Sequence, residues 1–136
     1  MLKIKGFSLV ELMVVIAIIA ILASIGMPMY TNYILKSHRS EANAELLSAA
    51  SAADNFEIRN GVLPSGNDIS TFYHDTTQNS FYSLAYCGGG DNACSDVNYV
   101  ITATATNSQT SDTPCQSIEI EVNGAVINKT PTECWD

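Results

Sequence analysis

Fourteen consecutive residues, Leu12 to Ile25, carry no charge, no proline and no glycine. Phe7 to Val10 extend this apolar run backwards across a single acid, Glu11. A surface helix of a globular protein keeps a polar stripe toward water, and this stretch has none. It must lie in lipid or inside an assembly. Phe7 to Ile25 gives 19 residues, at the short end of what crosses a bilayer. Glu11 is the anomaly that any account has to accommodate.

Met1 to Gly6 holds two lysines and no acid. The positive-inside tendency keeps such an end in the cytoplasm and sends the remainder outward. Three readings compete. The first is a secretory signal cut after the apolar core, near Ser24 and Gly26. The second is a plain membrane anchor. The third is a precursor cut between Gly6 and Phe7, before the apolar segment, which then survives in the mature chain. Glu11 separates them, because a charge near the apolar core costs about 2 to 3 kcal/mol on insertion scales, and a disposable signal has no reason to carry it.

The order Lys5-Gly6-Phe7-Ser8-Leu9-Val10-Glu11-Leu12, followed by an apolar helix, resembles the prepilin signature of type IV pilins and pseudopilins. The resemblance implies that Gly6 is the residue cut by a prepilin peptidase. It implies too that Phe7 is the N-methylated terminus, and that Glu11 faces the terminal amine of a neighbouring subunit during assembly. The physics of Glu11 agrees. An isolated carboxylate in apolar surroundings loses its charge by protonating, whereas a nearby cation keeps it ionised. Cleavage at Phe7 creates such a cation in the same region. Pairing within one helix would join residues four apart, and pairing between helices would set their axial register.

Gly26 and Pro28 follow the run, and a kink or a locally unwound segment is expected over residues 24–28, with helix termination there as the alternative. Beyond them Ile34, Leu35, Ala42, Leu46, Ala49, Ala53 and Phe56 recur at helical spacing, with charged residues largely on other faces. The helix should stop near Asn60-Gly61, with Pro64 shortly beyond. Residues 62–79 read as a polar connection with one short element near Ile69 to Tyr73. Strands are expected at Phe81 to Tyr86, Val97 to Thr106 and Gln116 to Val122, and Asn123-Gly124 supplies a hairpin turn into Ala125 to Thr130. The expected organisation is a leader over 1–6, a membrane and assembly half of the helix over 7–27, an amphipathic half over 28–61, and a loop and sheet domain over 62–136.

All four cysteines, Cys87, Cys94, Cys115 and Cys134, follow the apolar stretch, so they would be exported and oxidised to two disulfides. Four cysteines allow three connectivities. Pairing neighbours, Cys87 with Cys94 and Cys115 with Cys134, is favoured because each closes a short loop, and the other pairings stay open. Cys87-Gly-Gly-Gly-Asp-Asn-Ala-Cys94 reads as a turn rather than a phosphate loop, since no Gly-Lys-Ser/Thr follows. No Cys-x-x-Cys pair occurs, and neither a metal nor a cofactor is expected.

The formal charge is −8, and losing Lys3 and Lys5 with a leader takes it to −10. That charge disfavours broad binding to nucleic acid. No catalytic constellation is present: His38 and His74 read as solvated residues, Glu119 and Glu121 as a solvent-facing row, and an enzyme is not expected. Asn128-Lys129-Thr130 fits a glycosylation acceptor pattern.

The second half also resembles type IV pilins, in which a long helix packs on an antiparallel sheet and a disulfide bounds an exposed C-terminal region; Cys115 and Cys134 match those bounding cysteines. The ending looks closest to PilE-type minor pilins. The implied fold is α+β, one long N-terminal α-helix packed on a C-terminal antiparallel β-sheet. The implied role is a structural subunit of a type IV pilus, stored in the bacterial inner membrane with its N-terminus cytoplasmic. From there it would join an extracellular filament. Its partners would be other pilin subunits, the prepilin peptidase and the inner-membrane assembly machinery. The alternatives are a DNA-uptake or adhesion pilin, and a pseudopilin of a type II secretion system.

Overall fold

The computed structural model describes residues 6–88, 94 and 96–135. The chain divides into two units, Met1–Ile34 and Leu35–Asp136. Helix α1 (Leu9–Asn60, 52 residues) supplies the described part of the first unit beyond Ser8 and runs on into the second. Its end follows the sequence: Gly61 takes φ +74°, and its N–H donates to the Glu57 carbonyl at 2.7 Å. The missing Cβ makes that left-handed cap inexpensive.

Of the outcomes expected at Gly26 and Pro28, termination and local unwinding do not occur: residues 24–28 are helical without interruption. Proline removes one N–H from the ladder, and a long run of helical bonds on either side holds that single gap. Thr31 Oγ1 donates to the Pro28 carbonyl at 3.0 Å and Ser24 Oγ to the Ile21 carbonyl at 2.7 Å, both inside this stretch.

In the second unit, strands β1 (Tyr82–Gly88), β2 (Tyr99–Ala105), β3 (Ser117–Asn123) and β4 (Val126–Thr130) form one antiparallel sheet in sequence order. Alternation sets the buried face. Ile118, Ile120 and Val122 of β3 turn inward with Tyr99, Ile101, Ala103 and Ala105 of β2 and Tyr82, Leu84 and Tyr86 of β1. Against them lies a helix face of small residues, Ala42, Ala49, Ala50 and Ala53, with Leu46 as its one large side chain. Small helix residues let the backbone come close, and large tyrosines on the sheet fill the space between. Each fully buried Leu or Ile adds about 1.5 to 3 kcal/mol of burial.

The turn between β3 and β4 sits one residue later than expected. Asn123 pairs with Val126, so Gly124 and Ala125 form the two-residue loop rather than Asn123 and Gly124. Gly124 takes φ +59°, which suits glycine as first central residue of a primed turn. Asn123 is thereby used as a strand residue, and its side chain donates to the Asp96 carbonyl at 3.3 Å. The glycine turn expected between Cys87 and Cys94 falls on residues 89–93, outside the described ones, as does most of the leader. The connection 62–79 carries a single-turn 3-10 helix at Ile69–Thr71, capped by the Asp68 side chain.

Two polar contacts fasten loops to the helix. The first centres on Gln109, which is fully buried. Its amide nitrogen faces Asp112 Oδ2 at 2.9 Å, Tyr82 Oη at 3.0 Å and the Leu35 carbonyl at 3.3 Å, so its oxygen is the acceptor for His38 Nδ1 at 2.8 Å. His38 Nδ1 therefore carries the proton. Asp112 receives Arg39 in a two-pronged contact at 2.6 and 2.5 Å. In the second, Glu45 Oε2 accepts from Tyr73 Oη at 2.6 Å and His74 Nε2 at 2.9 Å, while Glu41 accepts from the backbone and side chain of Asn79 at 3.0 and 2.8 Å.

Replacing Asp112 with alanine takes the buried acceptor from both Arg39 and Gln109. Denaturant unfolding of the full chain in micelles should show a loss of about 2 to 4 kcal/mol; a loss under about 0.5 kcal/mol, typical of a surface pair, would contradict this network.

The Tyr73 hydroxyl is pushed up to about 12, first by burial and then by its bond to Glu45. A raised value stabilises the fold fully below the unfolded tyrosine range near 10 and loses that contribution as pH climbs through about 12. Stability should therefore fall between pH 10 and 12, and Tyr73→Phe should make the fall shallower by up to about 1.4 kcal/mol per pH unit. An unchanged slope would refute the contribution of Tyr73.

Candidate functional site

The segment expected to serve assembly lies in the first unit. From Leu12 to Leu35 the sequence has no Asp, Glu, Lys or Arg. Its large side chains, from Phe7 through Met29, are all exposed, including Val15 at 42%. The unit covers none of this surface itself.

At its start, Glu11 is engaged within its own chain. Ser8 N–H donates to Glu11 Oε2 at 2.9 Å, and Glu11 N–H donates to Ser8 Oγ at 3.2 Å. This reciprocal arrangement is a capping box, which satisfies two of the orphan donors at a helix start. The carboxylate also stands at the positive end of the helix dipole. The sequence holds the signal, a serine three residues before a glutamate at the head of an apolar run, yet the pilin-like reading of Glu11 gives Ser8 no role. Phe7 lies outside the helix and is 76% exposed.

The sheet end of the second unit is fixed by two bonds, Cys87 to Cys94 and Cys115 to Cys134. The second closes the open end of the β3–β4 hairpin, and both of its residues are buried. Asn43 of α1 donates to the Cys134 carbonyl at 2.8 Å, tying the bounded region to the helix. Beyond it Lys129 Nζ lies 4.7 Å from the Trp135 ring centroid, a cation–π contact. All five residues of β4 are exposed and it is the last strand of the sheet.

The other candidates take different places. His38 is not a simply solvated residue: it stacks on Phe81 at 3.6 Å between ring centroids and bonds to Gln109. His74 stays half-exposed beside Glu45. Glu121 accepts from Asn128 Nδ2 at 2.9 Å on the outer sheet face, and Glu119 lies on the same face. Among the described residues no group of three His, Cys, Asp or Glu side chains is placed to hold a metal ion. Gln109, Arg39 and Asp112 were missed by sequence reasoning, since the contacts join residues more than seventy positions apart.

Comparison with known proteins agrees with this geometry. Residues 1–27 match the prokaryotic N-terminal methylation motif. Residues 28–119 match the family described as type IV minor pilin ComP, DNA uptake sequence receptor. The chain is 36% identical over 100 residues to the fimbrial protein EcpC of Eikenella corrodens, covering 74% of this chain and 61% of that protein. It is 46% identical over 68 residues to the type IV major alpha-pilin of Moraxella bovis, covering 48% and 43%. With the type IV major pilin protein PilE of Neisseria gonorrhoeae it shares 40% identity over 63 residues, covering 46% and 38%. The matches span less than two thirds of the length of these relatives. With the methylation motif at its start, a long helix packed on an antiparallel sheet, and a family model over more than half of its length, the chain belongs to the type IV minor pilin ComP family.

Proposed function

We propose that this chain is a minor subunit of a type IV pilus. It is held in the inner membrane by residues 7–27 with its N-terminus in the cytoplasm, and it enters the filament through the same helix. The observation that carries this reading is the all-round apolar surface of the first unit, which starts with the methylation motif. A prepilin peptidase cuts between Gly6 and Phe7 and methylates Phe7. The new amine then pairs with Glu11 of a neighbouring subunit. That pairing can add to the bond from Ser8 N–H, which occupies Oε2 alone, because an ionised carboxylate accepts several donors on its two oxygens. The carboxylate is then not left bare before or during the pairing. Gly26 and Pro28 mark where the helix yields during this transfer, because one carbonyl there has already lost its amide partner. Replacing Glu11 with alanine should leave cleavage intact and lower the amount of this subunit in sheared filaments at least tenfold, a cost of about 1.4 kcal/mol or more. Normal incorporation would refute the pairing role.

A second reading, DNA capture, is favoured by the match to a family described as a DNA uptake sequence receptor. Charge limits its form. After Ile34 the sequence has four cations, Lys36, Arg39, Arg59 and Lys129, against thirteen carboxylates. Contact with phosphates would be local and few. Binding to duplex DNA should therefore show a slope of log affinity against log salt no steeper than about −4, from about −0.9 per phosphate contact. A steeper slope would show an extended cationic track and contradict this account, and no detectable binding at low salt and micromolar protein would remove the second reading.

A further inference from the structure

Two tyrosines at the end of the first unit have no part in the reading above. Tyr30 and Tyr33 stand three residues apart on one side of α1, and they are 67% and 72% exposed. They come directly after the apolar stretch from Leu9 to Met29, and the next charged residue in the sequence is Lys36. At 1.5 Å per residue that stretch is about 30 Å long, the thickness of a bilayer's hydrocarbon core. A phenol ring has an apolar body and a polar tip, so it is best placed where acyl chains give way to headgroups.

We infer that Tyr30 and Tyr33 are interfacial anchors that fix the depth of the stored subunit, with their hydroxyls among the outer headgroups. The inference rests on the membrane-storage reading and adds its register. Gly26 and Pro28 then fall within about 6 Å of Tyr30 along the axis. The residues least suited to a helix thus lie in the outer half of the span. Glu11 falls about 28 Å below Tyr30, at the cytoplasmic boundary rather than in mid-membrane. There its carboxylate reaches headgroup water, and with Ser8 completing the cap it keeps its charge while stored. Full desolvation of Glu11 is deferred to the step in which the helix leaves the bilayer.

The test uses the full chain with Trp135→Phe, reconstituted in phosphatidylethanolamine and phosphatidylglycerol vesicles whose lipids are brominated either near the headgroup or near the chain end. Single reporters are introduced as Tyr30→Trp, Tyr33→Trp or Ile18→Trp. Fluorescence at positions 30 and 33 should be quenched about threefold more by shallow than by deep bromines, and the order should reverse at position 18. If the reporters at 30 and 33 follow the order seen at 18, or escape both bromines while 18 is quenched, the anchors are refuted and membrane storage stands. If position 18 also escapes, storage itself fails and the inference falls with it. Replacing both tyrosines with leucine should shift the shallow-to-deep ratio at position 18 by about twofold. An unchanged ratio would overturn the depth-setting role even with the rings at the interface.

Discussion

One constraint runs through the molecule: the first unit has an apolar surface on every side that it does not cover itself. Fourteen exposed Leu, Ile, Val and Met side chains between Leu9 and Met29 of a regular helix are unfavourable in water and favourable in lipid or against other helices. Lipid and the apolar faces of other helices are the two surroundings that suit such a surface. Helical backbone suits both, since every interior N–H and C=O is bonded within the segment. The exceptions are the two ends and Pro28. The capping box of Ser8 and Glu11 handles the start.

The second unit solves a different problem with the same helix. Past Leu35 one face is apolar and narrow, lined by alanines, so the sheet has to bring the bulk. Tyr82, Tyr86 and Tyr99 supply it, and each tyrosine hydroxyl finds an acceptor: the carbonyls of Cys115 and Pro64, and the Asp54 carboxylate, at 3.1, 3.0 and 2.8 Å. Burial raises all three phenols above their ordinary range, with Asp54 adding to the effect at Tyr99. Gln109 and Asp112 then pin the loop between β2 and β3 to the helix, and the Cys115 to Cys134 bond pins the chain end to that loop. For a sheet of four strands the two disulfides and these loop contacts offset a small core.

Much of this was legible in the sequence, for local reasons. The apolar run, the Asn60-Gly61 stop and the alternation of Ile118, Ile120 and Val122 each depend on neighbours in the chain. At Pro28 a kink was expected with termination as the alternative, and the helical bonds around it outweighed the one missing N–H that would have ended the helix. The reading slipped elsewhere. Asn123-Gly124 was taken as the turn pair, yet Asn123 pairs with Val126 and passes the turn to Gly124 and Ala125. His38 was read as solvated because its partners, Phe81 and Gln109, lie far along the sequence and carry no signal pointing to it. The Ser8 to Glu11 box was visible but masked by the stronger pattern around it.

The central claim is that the apolar helix is retained in the mature chain, starting at Phe7, and is not a removable signal. The most direct test is the intact mass of the protein purified from its own cells. A chain lacking Met1 to Gly6 and carrying one added methyl group is the predicted result. A mature chain beginning near Gly26, or one that keeps its first six residues, would contradict the account.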